Sequence, residues 1–104
     1  MKTTRLCHLT TPEWMVLLAL AGVSAASAGD ITERLRQAGL DTTRQHVLRQ
    51  MISLHKADLI ISTRQGKAGR RGSITSVGRE RAKLILAYLN VLAEPAYQKL
   101  SEGS

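Results

Sequence analysis

Carboxylates are scarce in this chain, and their scarcity removes several functions at once. Eight Asp and Glu stand against fifteen Lys and Arg, and the three histidines, His8, His46 and His55, are scattered. No Gly-rich phosphate loop, nucleophile elbow or metal-ligand spacing occurs, so an enzyme is not expected. The single cysteine, Cys7, cannot close an internal disulfide, and with His8 beside it there is still no spaced ligand set. No metal and no cofactor are expected. No apolar run reaches the roughly 18 residues that a membrane span requires. Internal repeats and low-complexity tracts are absent, apart from a small-residue linker, GVSAASAG, at 22–29. What is present is ordinary globular composition, 43% hydrophobic and 22% charged over 104 residues, sized for one domain.

The positive charge is concentrated. From Arg44 to Lys83 there are ten basic residues and two acids, Asp58 and Glu80, a net +8, while the whole chain carries +7. A block of that kind needs an anionic partner or serves as a solvated face, and the phosphate backbone of nucleic acid is the commonest such partner.

Residues 1–28 imitate a secretory signal: Lys2 and Arg5 lead, an apolar run from 14 to 23 follows, and Ala26-Ser27-Ala28 resembles a cleavage site. Glu13 argues against it, because it touches the apolar run. So does TPEW, which reads as a helix start with Thr11 as N-cap and Pro12 at the first helical position. The expectation is an uncut, cytoplasmic chain, with secretion as the alternative.

The spacing predicts an N-terminal arm over 1–10, a domain over 11–93 and a frayed tail over 94–104. A first helix over 11–21 is apolar on nearly every side and belongs in the core. The linker at 22–29 is a tight connection with room for a short edge strand. A second helix begins with Ser27 and Asp30 in a capping-box-like pair and ends at Gly39. Asp41, Thr42 and Thr43 then offer the N-cap of a third helix over 42–55, and helix, glycine turn and capped helix together read as a helix-turn-helix.

Stepping 100° per residue along that third helix places Val47, Leu48, Met51, Ile52 and Leu54 on a core arc. Thr42, Gln45, His46, Arg49 and Ser53 fall on the opposite arc. The outward stripe holds donors and acceptors but no acid. It suits base edges, since Arg pairs with guanine and Gln with adenine in the major groove; a solvated polar face is the plainer alternative. Two β-branched runs, 59–64 and 72–77, flank a basic loop and read as a hairpin. Its tip carries Lys67, Arg70 and Arg71 and no acid, which favours a phosphate or minor-groove contact over a merely solvated loop.

A last helix over 78–93 is stopped by Glu94-Pro95. Ile85, Tyr88, Leu89 and Leu92 share one stripe, with Leu84 and Val91 as a second edge. That is more apolar width than one small domain needs, so pairing with a second copy is expected, the alternative being an internal helix that caps the first.

The order helix, helix, turn, helix, two-stranded hairpin, helix resembles the winged-helix transcription regulators of the MarR and PadR type. SAGDITERLRQAG looks like the helix before the turn, and LDTTRQHVLRQMISLHKADLI like the recognition helix and its exit into the first wing strand. GRRGSITSVGRERAKLI is similar to the wing tip, the returning strand and the Thr-x-x-Gly-Arg start of the final helix. The resemblance covers roughly residues 11–93. It implies a mainly α fold with a β-hairpin wing: a three-helix core, a two-stranded wing and a C-terminal helix. It also implies a homodimeric, sequence-specific binder of double-stranded DNA, with helix 42–55 in the major groove and wing 64–72 on the backbone or minor groove. Thr42, Thr43, Gln45, His46 and Arg49 would occupy the recognition face, with Arg64, Lys67, Arg70 and Arg71 on the wing. The chain departs from those families in being short, in having no long N-terminal helix for dimerisation and in having only three aromatic residues. No small-molecule effector is therefore expected, and a small phage, plasmid or accessory regulator fits better than a drug sensor. The alternative is a winged-helix nucleoprotein-assembly or interaction module of the plasmid partition or replication type.

Overall fold

A computed structural model describes residues 12–64 and 69–102 of the chain. The apolar run that imitates a signal becomes helix α1 (Glu13–Ala21), and its Val16, Leu17 and Leu20 are fully buried at the centre of the core. Loss of residues 1–28 would therefore take away the surface on which the other elements pack. Thr11 lies outside the described residues. Pro12 sits at the N-cap with extended backbone, not at the first helical position, and no side chain caps the helix.

The small-residue linker supplies a strand, β1 (Ala25–Ser27), and Ser27 then caps α2 (Ala28–Gln37), its Oγ accepting from the Asp30 N–H at 3.1 Å. Gly39 ends α2 in the left-handed region, at φ +96°, where a side chain would be strained. The Leu40 N–H bonds back to the Leu35 carbonyl and the Gly39 N–H to the Arg36 carbonyl. Both leucines are buried, so the turn is a Schellman motif closed by its usual apolar contact. The next helix, α3 (Arg44–Lys56), starts two residues later than its polar pattern suggests, because Thr43, the last of the three candidates, is the cap. Its C-terminus repeats the α2 ending: Asp58 takes φ +61°, and the Leu59 N–H bonds to the Leu54 carbonyl.

The chain then forms β2 (Ile60–Arg64) and β3 (Arg70–Ile74), antiparallel from Ile60 opposite Ile74 to Arg64 opposite Arg70. Strand β1 pairs with the other side of β3, Ala26 opposite Gly72, giving the order β1-β3-β2. The wing expected to have two strands is thus part of a three-stranded sheet, because the Ala- and Ser-rich linker lies close enough to add an edge. Val77, expected in the second wing strand, belongs to the final helix, α4 (Ser76–Glu102). Thr75 fixes the start of α4: its Oγ accepts from the Gly78 N–H and donates to the Asp58 carbonyl. A Cβ on Gly78 would collide with the Leu59 carbonyl oxygen, so only glycine lets α4 approach β2 this closely.

Helix α4 overturns the expected stop at 93 and the frayed tail. Its 27 residues run through Pro95 and span about 40 Å at 1.5 Å per residue. Proline removes one hydrogen bond, the one to the carbonyl four residues back, but its fixed φ is helical. The residues after it, rich in Ala, Gln, Lys, Leu and Glu, are good helix formers. The core comprises α1, the inner faces of α2, α3 and the sheet, and the first turns of α4 as far as Ala82, with Ile85 packed against its edge. Leu17, Leu20, Ile31, Met51, Leu54 and Ile60 are each fully buried, worth about 1.5–3 kcal/mol apiece. No helix among the described residues is long and apolar enough to cross a membrane.

Candidate nucleic-acid interface

The outward face of α3 is narrower than the arc drawn from the sequence, and rotated from it. Gln45, Arg49, Ile52 and Lys56 form the exposed stripe, at the i, i+4, i+7 and i+11 spacing of one helix face. Gln45 and Arg49 are therefore placed as expected. Ile52, assigned to the core arc, is 38% exposed and stands among them, since Val47, Met51 and Leu54 already fill the space beneath. Lys56 was outside the expected set; its i+7 relation to Arg49 is the signal that would have found it.

Four expected residues are engaged elsewhere. Thr42 is only 3% exposed, and its carbonyl accepts from the Arg36 Nε at 3.0 Å, a bond that ties the end of α2 to the start of α3. It does not stand on the outward face. Thr43 is exposed, with its Oγ1 accepting from the His46 N–H at 3.2 Å as the helix cap. His46 is half-buried, its Nε2 lying 3.3 Å from the Gln50 Nε2. Ser53 donates to Glu13, joining α3 to α1 and leaving the outward stripe.

On the wing, Arg70 and Arg71 are strand residues and not tip residues, and alternation sends them to opposite faces. Arg70 shares the inner face with Arg64, its partner in the ladder, and its Nη1 reaches both the carbonyl and Oγ of Ser62, at 3.4 and 3.2 Å. Arg71 stands exposed on the outer face, opposite Thr63 on one side and Ser27 on the other. Lys67 lies outside the described residues. The sheet root is braced from α3, where the His55 Nδ1 accepts from the Ser62 N–H at 3.1 Å.

The electrostatics are one-sided. Among the described residues the only ion pair is Lys83–Glu80, with its N···O distance 3.2 Å, on the exposed surface of α4. Arg44, Arg49, Lys56, Arg64, Arg70 and Arg71 have no carboxylate partner there, and no group of His, Cys, Asp or Glu among these residues could hold a metal ion.

At the far end, α4 leaves the domain after Ile85. Ile85 packs half-buried on the core of its own chain, whereas Tyr88 and Leu92 are each 67% exposed. Leu86, Val91, Tyr97 and Leu100 are exposed as well. Tyr88 and Leu89 also wall a groove of about 550 Å³ that runs past Trp14 over Leu17, Leu54 and Leu59.

Solved structures share this architecture. BpsR of Bordetella bronchiseptica, whose DNA binding is regulated by 6-hydroxynicotinic acid, superposes with a TM-score of 0.68 at 17% identity, over 86% of this chain and 62% of its own. A mutant of Lactococcus lactis ZitR superposes at 0.67 and 20% identity, over 100% of this chain and 64% of its own. A PadR family transcription regulator from Clostridium difficile gives 0.68 at 14% identity, over 85% of this chain and 97% of its own. The chain thus has a winged-helix fold, shared with a PadR family transcription regulator and an adhesin competence repressor. It spans less than two thirds of the length of BpsR and ZitR. The sequence itself matches no family model and no curated protein.

Proposed function

We propose that this chain binds double-stranded DNA sequence-specifically as a small transcriptional regulator, with α3 in the major groove and the wing on the backbone or in the minor groove. One observation carries the reading: on a winged-helix scaffold, the exposed stripe of α3 and both faces of the wing present cations with no carboxylate partner among the described residues. Arg49 and Gln45 have the forked and amide ends that read guanine and adenine, and Ile52 offers an apolar surface to a thymine methyl. The wing arginines supply affinity through phosphates. Such a ligand places the chain in the cytoplasm, with the DNA.

The active species in this reading is a homodimer formed through the outer part of α4. A helix of this length projecting into water with Tyr88, Leu89 and Leu92 uncovered is not stable by itself, and a second copy offers the same face. Ile85 contributes from the edge of its own core.

A salt titration on a duplex tests the reading. The double variant Arg70→Ala/Arg71→Ala is expected to bind all sequences more weakly and to show a shallower salt dependence. Wild-type affinity and slope in that variant would remove the wing from the interface.

A further inference from the structure

We propose that Arg44, with Arg64 and Arg70, forms a seat for one phosphodiester of the DNA backbone in the cleft between the first turn of α3 and the loop-side end of the wing strands. The identity of the ligand rests on the DNA-binding reading above; the seat itself rests on three observations.

The first is a broken local rule. Helices α1 and α2 each carry an acid in the first turn, Glu13 and Asp30, as the positive end of a helix dipole favours. Helix α3 carries none, and its first residue is Arg44. A cation there opposes the dipole, and such local conflicts gather at functional sites.

The second is convergence. The Arg44 guanidinium lies against Gly69, so closely that a Cβ on that residue would collide with its Nη2. Gly69 takes φ +80° and directly precedes Arg70, which pairs with Arg64 on the last rung of the hairpin. Residues 64 and 70 alternate onto the same face as Ile60, Gly72 and Ile74, the face turned towards α3. Two elements thus bring three arginines to one cleft.

The third is the missing counter-charge. None of the three has a carboxylate partner among the described residues, and Arg70 is held by the neutral oxygens of Ser62. Fork-shaped donors and a helix N-terminus with no anion between them match a phosphate, whose oxygens accept from both.

The test compares wild type with Arg44→Ala on a preferred duplex and on a scrambled duplex over a range of salt, together with the melting temperature of each protein. The variant is expected to lose about tenfold on both duplexes at low salt, and its log–log salt slope should fall by about one, as for one lost phosphate contact. Its melting temperature should hold or rise, because the conflict with the dipole is gone. Unchanged affinity and slope on a duplex that wild type binds would overturn the seat while leaving DNA binding intact. So would a loss confined to one sequence, which marks a base reader, or a melting temperature that falls with the affinity, which marks a strut for the wing. If wild type binds no duplex, the DNA reading has failed and inorganic phosphate decides the seat. Thermal stabilisation of wild type but not of Arg44→Ala keeps an anion site, and an equal response of the two proteins removes it.

Discussion

Helices α3 and α4 both turn a long face to water, and the two faces could hardly differ more. That of α3 shows Gln45, Arg49 and Lys56 around a single apolar residue, Ile52. Beyond Ile85, α4 shows Tyr88, Leu89 and Leu92 on one stripe, with Leu86, Val91, Tyr97 and Leu100 exposed around the rest of the helix. Water solvates the first face well, so its exposure alone demands nothing; its lack of carboxylate partners is what calls for an anion. Exposure of the second is costly, at about 25 cal/mol for each Å² of apolar surface, and calls for a protein partner. In the proposed reading, one helix meets nucleic acid and the other a second copy of the chain.

The largest expected effect comes from making the second face resemble the first. Leu92→Glu should convert a dimer to a monomer in sedimentation velocity and weaken binding to a two-half-site duplex by about a hundredfold or more, through lost avidity. A dimer that survives the substitution would assign the α4 face another role. Next is the junction between the regions. Gly78→Ala places a methyl group against the Leu59 carbonyl and should cost about 2–3 kcal/mol in urea unfolding, with DNA affinity falling only as the folded fraction does. On the α3 side, Arg49→Ala should cost about 1–2 kcal/mol on the preferred sequence and much less on a scrambled one, flattening discrimination at one base pair. Equal losses on both duplexes would make Arg49 a backbone contact. The smallest effect is a gain. Asp58 occupies a left-handed position without being glycine, so Asp58→Gly should stabilise the fold by about 0.5–1 kcal/mol with binding unchanged.

Much of this was legible in the chain because the signals were local. Ser27 with Asp30, the glycine turn at 39 and the Thr75-x-x-Gly78 start of α4 each form the structure their chemistry specifies. A repeated ending is also local: Leu35-Arg36-Gln37-Ala38-Gly39-Leu40 and Leu54-His55-Lys56-Ala57-Asp58-Leu59 close α2 and α3 with the same hydrogen bonds. What escaped was set by tertiary contacts. Asp41, Thr42 and Thr43 are all acceptable caps, and the choice among them follows from Arg36 gripping the Thr42 carbonyl, which buries that residue. Periodicity puts Ile52 at the edge of the core arc, and only the packing of its neighbours decides that it faces out. In the sequence Arg44 is only the first of the basic block, because its significance lies in a contact with Gly69, 25 positions further along the chain.

The claim that α3 and the wing read DNA is tested most directly by selecting bound fragments from a pool of random duplexes with the wild-type chain. The expected result is enrichment of a two-fold symmetric site whose half-sites lie one helical turn apart, matching recognition helices in successive major grooves. Recovery of an unenriched pool, or of no DNA at all, would contradict it.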